Sequence, residues 1–171
     1  MSRMVRESQT SGLRERHWFA QSLLKQLRQQ QDGGAPRGGL LALRGAVLFH
    51  LYSALVGAVR QASATDLDDR LSLAVLNDTL ADSERPELAI LRSALNDPAD
   101  VIHWLHREIN AACGASGLAH RPTPRSEEAS LTFAVEDPNL PLADGDMARL
   151  DAAVQRVGVL LQEMAAYTEE W

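Results

Sequence analysis

A chain of 171 residues, of which 45% are apolar and 23% charged, has the size and composition of one globular domain, which excludes wholesale disorder. Its net charge of −6 disfavours nucleic-acid binding, because binders of the phosphate backbone derive much of their affinity from clustered lysine and arginine. Cys113 is the only cysteine, so an intramolecular disulfide is excluded.

The first predicted helix covers residues 10–30. Its inward-facing residues recur at spacings of three and four, which places them on one side of a helix: Leu13, His17, Ala20, Leu24 and Leu27. Glycine and proline are concentrated over 33–39, where we expect a flexible turn. Residues 1–9, which precede the helix, are expected to be flexible.

The second predicted helix, over 40–62, is apolar nearly all round, which is typical of a helix buried at the centre of a domain. Arg44 interrupts it, and an arginine within a membrane span costs roughly 2.5–3.5 kcal/mol, so we interpret the segment as a core helix. Residues 1–12 are polar and do not resemble a signal peptide. We therefore expect a cytoplasmic protein with no membrane partner.

Two short helices are predicted next, one over 67–76 and one over 86–95 with Ser83 as its cap. Asp97 and Pro98 are typical of the start of a further helix, which ends near Gly114. Residues 115–130 are predicted to form a surface loop.

Residues 131–135 alternate weakly and are predicted to form a short extended segment. The last helix, over 144–170, has the clearest helical spacing in the chain. The predicted fold is all-α, a single domain over 1–171 in which four long helices and two short ones form a bundle.

Histidines are the most suggestive residues for a metal site. His17, His50 and His106 lie on the apolar faces of three predicted helices, where side chains from facing helices can hold a metal. Together with His103, this pattern resembles the three-histidine site of DinB-like bundles, although the pair formed by His103 and His106 has HxxH rather than HxxxH spacing. That resemblance implies a transition metal. The alternative is that His17 and His50 are core or boundary histidines bonded to a carbonyl or an arginine.

Arg44 and His50 lie on one helix with five residues between them. This spacing resembles the arginine–histidine element of HEPN-type ribonuclease bundles, and the resemblance implies action on RNA by Arg44 and His50. The alternative is structural: a buried arginine needs a carboxylate partner, for which Glu108 and Glu163 are candidates.

The common sequence motifs of nucleotide-binding, hydrolytic, metal and redox sites are absent. The chain has no Walker, Rossmann, nucleophile-elbow, HExxH or CxxC motif. Trp18 and Trp104 are interpreted as packing residues of the bundle. We therefore expect no catalytic residues and no cofactor other than a transition metal, and a function in binding another protein or a second copy of the chain.

Three short segments resemble an uncharacterised helical family of Gammaproteobacteria, known as a domain of unknown function. They are His17-Trp18-Phe19-Ala20, the run from Leu48 to Leu55, and the final Glu169-Glu170-Trp171. The resemblance implies a bacterial cytoplasmic helical protein and assigns it no activity.

Overall fold

A computed structural model describes residues 3–63, 80–81, 84–113, 142 and 145–169, with side chains described from residue 12 to residue 167. Regular secondary structure within these ranges is entirely helical, which confirms the all-α prediction. The helices are α1 (Arg3–Asp32), α2 (Arg37–Ser63), α3 (Pro86–Asn96), α4 (Val101–Cys113) and α5 (Asp146–Glu169).

The described helices differ in number and length from the prediction of four long and two short ones. Three have 24 to 30 residues, whereas α3 has 11 and α4 has 13. Helix α4 is shorter than predicted because it begins only at Val101. The predicted helix over 67–76, the loop over 115–130 and the extended segment over 131–135 lie outside the described residues.

The turn between α1 and α2 is tighter than the predicted 33–39. Helix α1 ends at Asp32, and the chain turns at Gly34, whose φ of 71° is a left-handed conformation that favours glycine. The Ala35 amide donates to the Gln30 carbonyl at 2.9 Å and the Gly34 amide to that of Gln31 at 3.1 Å, the pattern of a Schellman motif. Helix α2 then begins at Arg37, so Gly38 belongs to its first turn and not to the turn before it.

The other helix starts also differ in detail. Helix α1 begins at Arg3 rather than near residue 10, so most of the segment expected to be flexible is helical. Arg85, not Ser83, occupies the cap position of α3, with Pro86 in the first turn as predicted. Asp100, not Asp97, caps α4, because its Oδ1 accepts the Ile102 amide at 2.9 Å.

Helix α2 lies at the centre of the bundle and contacts each of the other four described helices. Its fully buried residues include Val47, Leu48, Leu51 and Leu55. Among the described helices, α2 alone is long and apolar enough to cross a membrane, but 56% of its most apolar stretch is buried in the bundle. That burial is expected of the core helix that the sequence predicts.

Helix α5 packs against all the other described helices and completes the core with Leu150, Ala153, Val157 and Leu160. The α1–α2 hairpin therefore has an inner side that faces α5 and an outer side that no described helix covers.

Candidate functional site

The outer side of the α1–α2 hairpin carries four neighbouring rings, which we call the aromatic surface: Trp18, Phe19, Phe49 and His50. Trp18 is 59% exposed, Phe49 53% and Phe19 36%. The ring centroids of Trp18 and Phe19 are 5.5 Å apart, those of Phe19 and His50 5.4 Å, and those of Phe49 and His50 5.7 Å. The rings thus form one continuous row across two helices.

A groove of about 320 Å³ adjoins this row. Its lining residues are Phe19, Ser22, Leu23, Gln26 and His50. None of them is an aspartate, glutamate, lysine or arginine. A neutral groove beside protruding aromatic rings is suited to an apolar side chain and not to a phosphate or a metal ion.

The position of the rings follows from helical geometry. Ala20, Leu24 and Leu27 are buried and define the inner side of α1. At 100° per residue, Trp18 and Ser22 lie about 160° from Ala20 and Leu24 respectively, on the outer side. The interpretation of Trp18 as a packing residue was therefore wrong, whereas Trp104 is half-buried and packs against the core. The helical phase set by Ala20 and Leu24 was the signal that identifies Trp18 as outward-facing.

Arg44 occupies the opposite, buried side of α2 and is 2% exposed. Its Nε donates to Asp146 Oδ2 at 2.6 Å, and its Nη2 donates to Glu108 Oε2 at 2.5 Å. Burial alone would lower the pKa of Arg44, but hydrogen bonds to Asp146 and Glu108 and their charges outweigh it and raise that pKa. The predicted partner Glu108 is confirmed, and Glu163 pairs instead with Arg156.

His17 packs between α1 and α5. Its Nε2 donates a hydrogen bond to the Val154 carbonyl at 2.8 Å, so the proton of the neutral ring lies on Nε2. For His17 this confirms the alternative of a histidine bonded to a carbonyl, whereas His50 Nδ1 is buried without a hydrogen-bond partner among the described residues. Gly158 makes room for the ring, because a Cβ there would stand 2.9 Å from His17 Cε1.

His106 lies with Tyr52 between α4 and α2, where the two rings stack with centroids 6.2 Å apart. The Asn110 amide donates to His106 Nε2 at 3.0 Å. Burial, and then the charge of His103, lowers the pKa of His106. His106 Nδ1 and the Tyr52 hydroxyl are both buried without a hydrogen-bond partner among the described residues.

The structure does not bring the three candidate metal ligands together. His17 bonds to Val154, His50 lies between Phe19 and Phe49, and His106 stacks on Tyr52. No group of three or more histidine, cysteine, aspartate or glutamate side chains in the described ranges could hold a metal ion. The transition metal therefore stays a prediction without support from this geometry.

The arrangement of Arg44 and His50 likewise gives no support to cleavage of RNA. The Arg44 guanidinium binds two carboxylates in the core, whereas His50 belongs to the aromatic surface. Their six-residue separation places them about 120° apart around α2. A phosphate bound to Arg44 would have to displace Asp146, whose side chain is itself 2% exposed.

Comparison with known proteins gives no relative from which a function could be transferred. No family model, no curated protein and no solved structure matches this chain. The resemblance to an uncharacterised gammaproteobacterial family stays a prediction.

Proposed function

We propose that this chain is a non-enzymatic, cytoplasmic bacterial helical bundle that acts by binding a helical face of a protein through the aromatic surface. The observation that carries the proposal is the exposure of Trp18 and Phe49, more than half of each side chain, in one row with Phe19 and His50. Scattered exposed apolar residues need no explanation, but contiguous ones on a protein surface mark sites of interaction.

The residue types favour a protein as the partner. Tryptophan and other aromatic residues are enriched among the side chains that contribute most to protein–protein affinity, particularly where a ring enters a pocket. The groove lies between two antiparallel helices and is neutral and partly apolar. Such a groove is suited to a bulky apolar side chain that projects from a helix of the partner.

The polar clusters of the bundle support a binding function over catalysis. The charge of Arg44 is matched by Asp146 and Glu108, and His17 is bonded to a backbone carbonyl. These contacts hold helices together and leave the outer side of the α1–α2 hairpin as the chemically distinctive surface of the described residues.

Site-directed photo-crosslinking tests the proposal. A benzophenone amino acid is substituted for Trp18 or Phe49, and in a matched control for Tyr167, an aromatic residue on α5 that is 39% exposed. After illumination in bacterial cells, we expect discrete protein adducts from positions 18 and 49 and none from position 167. Adducts from position 49 should disappear when Trp18→Ala is added.

Thermal unfolding of each variant shows whether the fold is retained, so loss of an adduct cannot be mistaken for unfolding. Folded variants that give no adduct from position 18 or 49, or equal adducts from all three positions, would contradict a binding role for this surface.

A further inference from the structure

Resting on the proposed function, we propose that the occupant of the aromatic surface is a second copy of this chain. The two copies would pair α1 with α1 in antiparallel orientation, and Trp18 of each copy would enter the groove of the other. A protruding ring and a receiving groove lie side by side on one surface. A two-fold axis between the copies would bury both Trp18 rings at once, because a two-fold interface is formed by the same surface of each copy.

The outward face of α1 is a row of exposed residues in which Trp18 is the one aromatic ring. The residues of this row follow one another at intervals of three and four, as along any face of an α-helix: Glu15, Trp18, Ser22, Lys25 and Gln29. Ala20 and Leu24, which point into the bundle, do not belong to this row. The helix therefore has an inner side used by its own bundle and an exposed outer side that carries Trp18 and charged residues of both signs.

The positions of the charges on this face determine orientation and register. Glu15 and Lys25 lie five residues on either side of the midpoint between Trp18 and Ser22. An antiparallel pair centred on that midpoint places Trp18 opposite Ser22 of the partner subunit, in the groove wall, and Glu15 opposite Lys25 of the partner subunit. A parallel two-fold pair would instead place like charges opposite each other, which is unfavourable.

The surface area that the two copies can bury against each other determines the affinity to expect for the dimer. An aromatic side chain buries about 150–250 Å² when fully covered, and stable interfaces bury upwards of about 1,000 Å² in total. Since Trp18, Phe19 and Phe49 are only partly exposed, their area alone falls short of that total. The polar residues of the α1 face must also be covered, so we expect a dimer with a Kd near the micromolar range.

Sedimentation velocity on the full chain, over about 1–300 μM at moderate salt, tests the pairing. We expect a reversible monomer–dimer equilibrium that Trp18→Ala weakens about tenfold or more. Glu15→Lys and Lys25→Glu each place like charges opposite each other and should each weaken the dimer roughly two- to fivefold.

The double variant Glu15→Lys/Lys25→Glu restores opposite charges and should recover the affinity of the native chain. Matched controls are Tyr167→Ala and Arg149→Glu, exposed aromatic and charged positions on α5, which should leave the equilibrium unchanged.

The outcomes separate this pairing from the proposed function. If Trp18→Ala abolishes the dimer but the double variant Glu15→Lys/Lys25→Glu does not recover the affinity lost in the two single charge variants, the antiparallel register is wrong. A strictly monomeric chain whose position 18 crosslinks to a different protein would overturn the second copy as occupant while supporting the binding function. A monomer that gives no crosslink from position 18 or 49 would overturn both.

Discussion

The imidazole of His17 in α1 lies against the backbone of Gly158 in α5, where a Cβ would stand 2.9 Å from the ring. Because real side chains do not approach so closely, Gly158→Ala must displace His17 and weaken its 2.8 Å hydrogen bond to the Val154 carbonyl. We expect Gly158→Ala to lower the free energy of unfolding by about 1–3 kcal/mol, the range of overpacking substitutions. Urea denaturation measures this change.

Two further variants isolate the contact between helices. Gly12 is also helical, and a Cβ there would meet nothing within 4 Å, so Gly12→Ala should stabilise the chain by about 0.4–1 kcal/mol. In a His17→Ala background, Gly158→Ala should change the free energy of unfolding little, because the imidazole that the new Cβ would contact is absent. A Gly158→Ala variant as stable as Gly12→Ala would refute the close packing of α1 on α5.

The buried ion pairs of Arg44 make it the charge whose loss should be most destabilising. Arg44→Met would remove the guanidinium that binds Glu108 and Asp146, the latter 2% exposed in its side chain. Breaking a buried pair from one side typically costs about 3–5 kcal/mol, because the charge left behind has lost its hydration. Thermal and urea unfolding should both show a destabilisation of this order.

An exposed ion pair in the same bundle serves as the control for Arg44. Arg28 contacts Asp151 with both side chains largely in solvent, so Arg28→Ala should change stability by less than about 1 kcal/mol. Adding Asp146→Asn and Glu108→Gln to Arg44→Met should restore part of the lost stability, because neutral amides are less costly to bury. Equal effects of Arg44→Met and Arg28→Ala would contradict the proposed burial of the pair.

The metal content of the purified protein shows whether His17, His50 and His106 form a metal site. His17, His50 and His106 each engage different neighbours, so we expect clearly less than one equivalent of transition metal in tag-free protein purified without chelator. Elemental analysis by plasma mass spectrometry measures this content. Near one equivalent of metal, lost on His50→Ala, would instead establish a site that these contacts do not show.

The sequence predicted the helices and their buried sides better than it predicted the contacts between helices. Spacings of three and four identified the inner sides of α1 and α5, because burial and helical period are coupled along a single element. The ion pair of Arg44 with Glu108 was also foreseen, since a charge on an apolar helix requires a partner. Both predictions follow from requirements of a residue on its own helix.

Features that depend on contacts between distant elements were not predictable in this way. Asp146 binds Arg44 from 102 residues away, and nothing local to residue 146 indicates that role. Trp18 was interpreted as a packing residue because a tryptophan in a bundle packs more often than it lines a ligand site, although the phase of Ala20 and Leu24 places it outside. Whether another helix covers that outer side is a property of the tertiary arrangement, so the aromatic surface emerged only from the structure.

Tyr52 provides a test in which the direction of a pH effect can be calculated. Its hydroxyl is buried without a hydrogen-bond partner among the described residues, and burial, together with Cys113, raises the pKa of Tyr52 to about 12. An unfolded tyrosine ionises near pH 10. Between about pH 10 and 12 the unfolded chain therefore releases a proton that the folded chain keeps, and stability falls as pH rises.

We expect Tyr52→Phe to leave stability near pH 7 unchanged or slightly higher, because it removes a buried hydroxyl that makes no described bond. Above pH 10 the variant should lack the Tyr52 contribution to alkaline destabilisation, which reaches about 1–1.5 kcal/mol at pH 11 and its full size of about 2–3 kcal/mol only above pH 12. Urea unfolding at pH 7, 9, 10 and 11 measures the difference. Tyr167→Phe, at a site 39% exposed, is the control and should follow the native chain throughout. A Tyr52→Phe variant that loses substantial stability at pH 7 would show that the hydroxyl has a partner, and would contradict its assignment as an unpaired buried group.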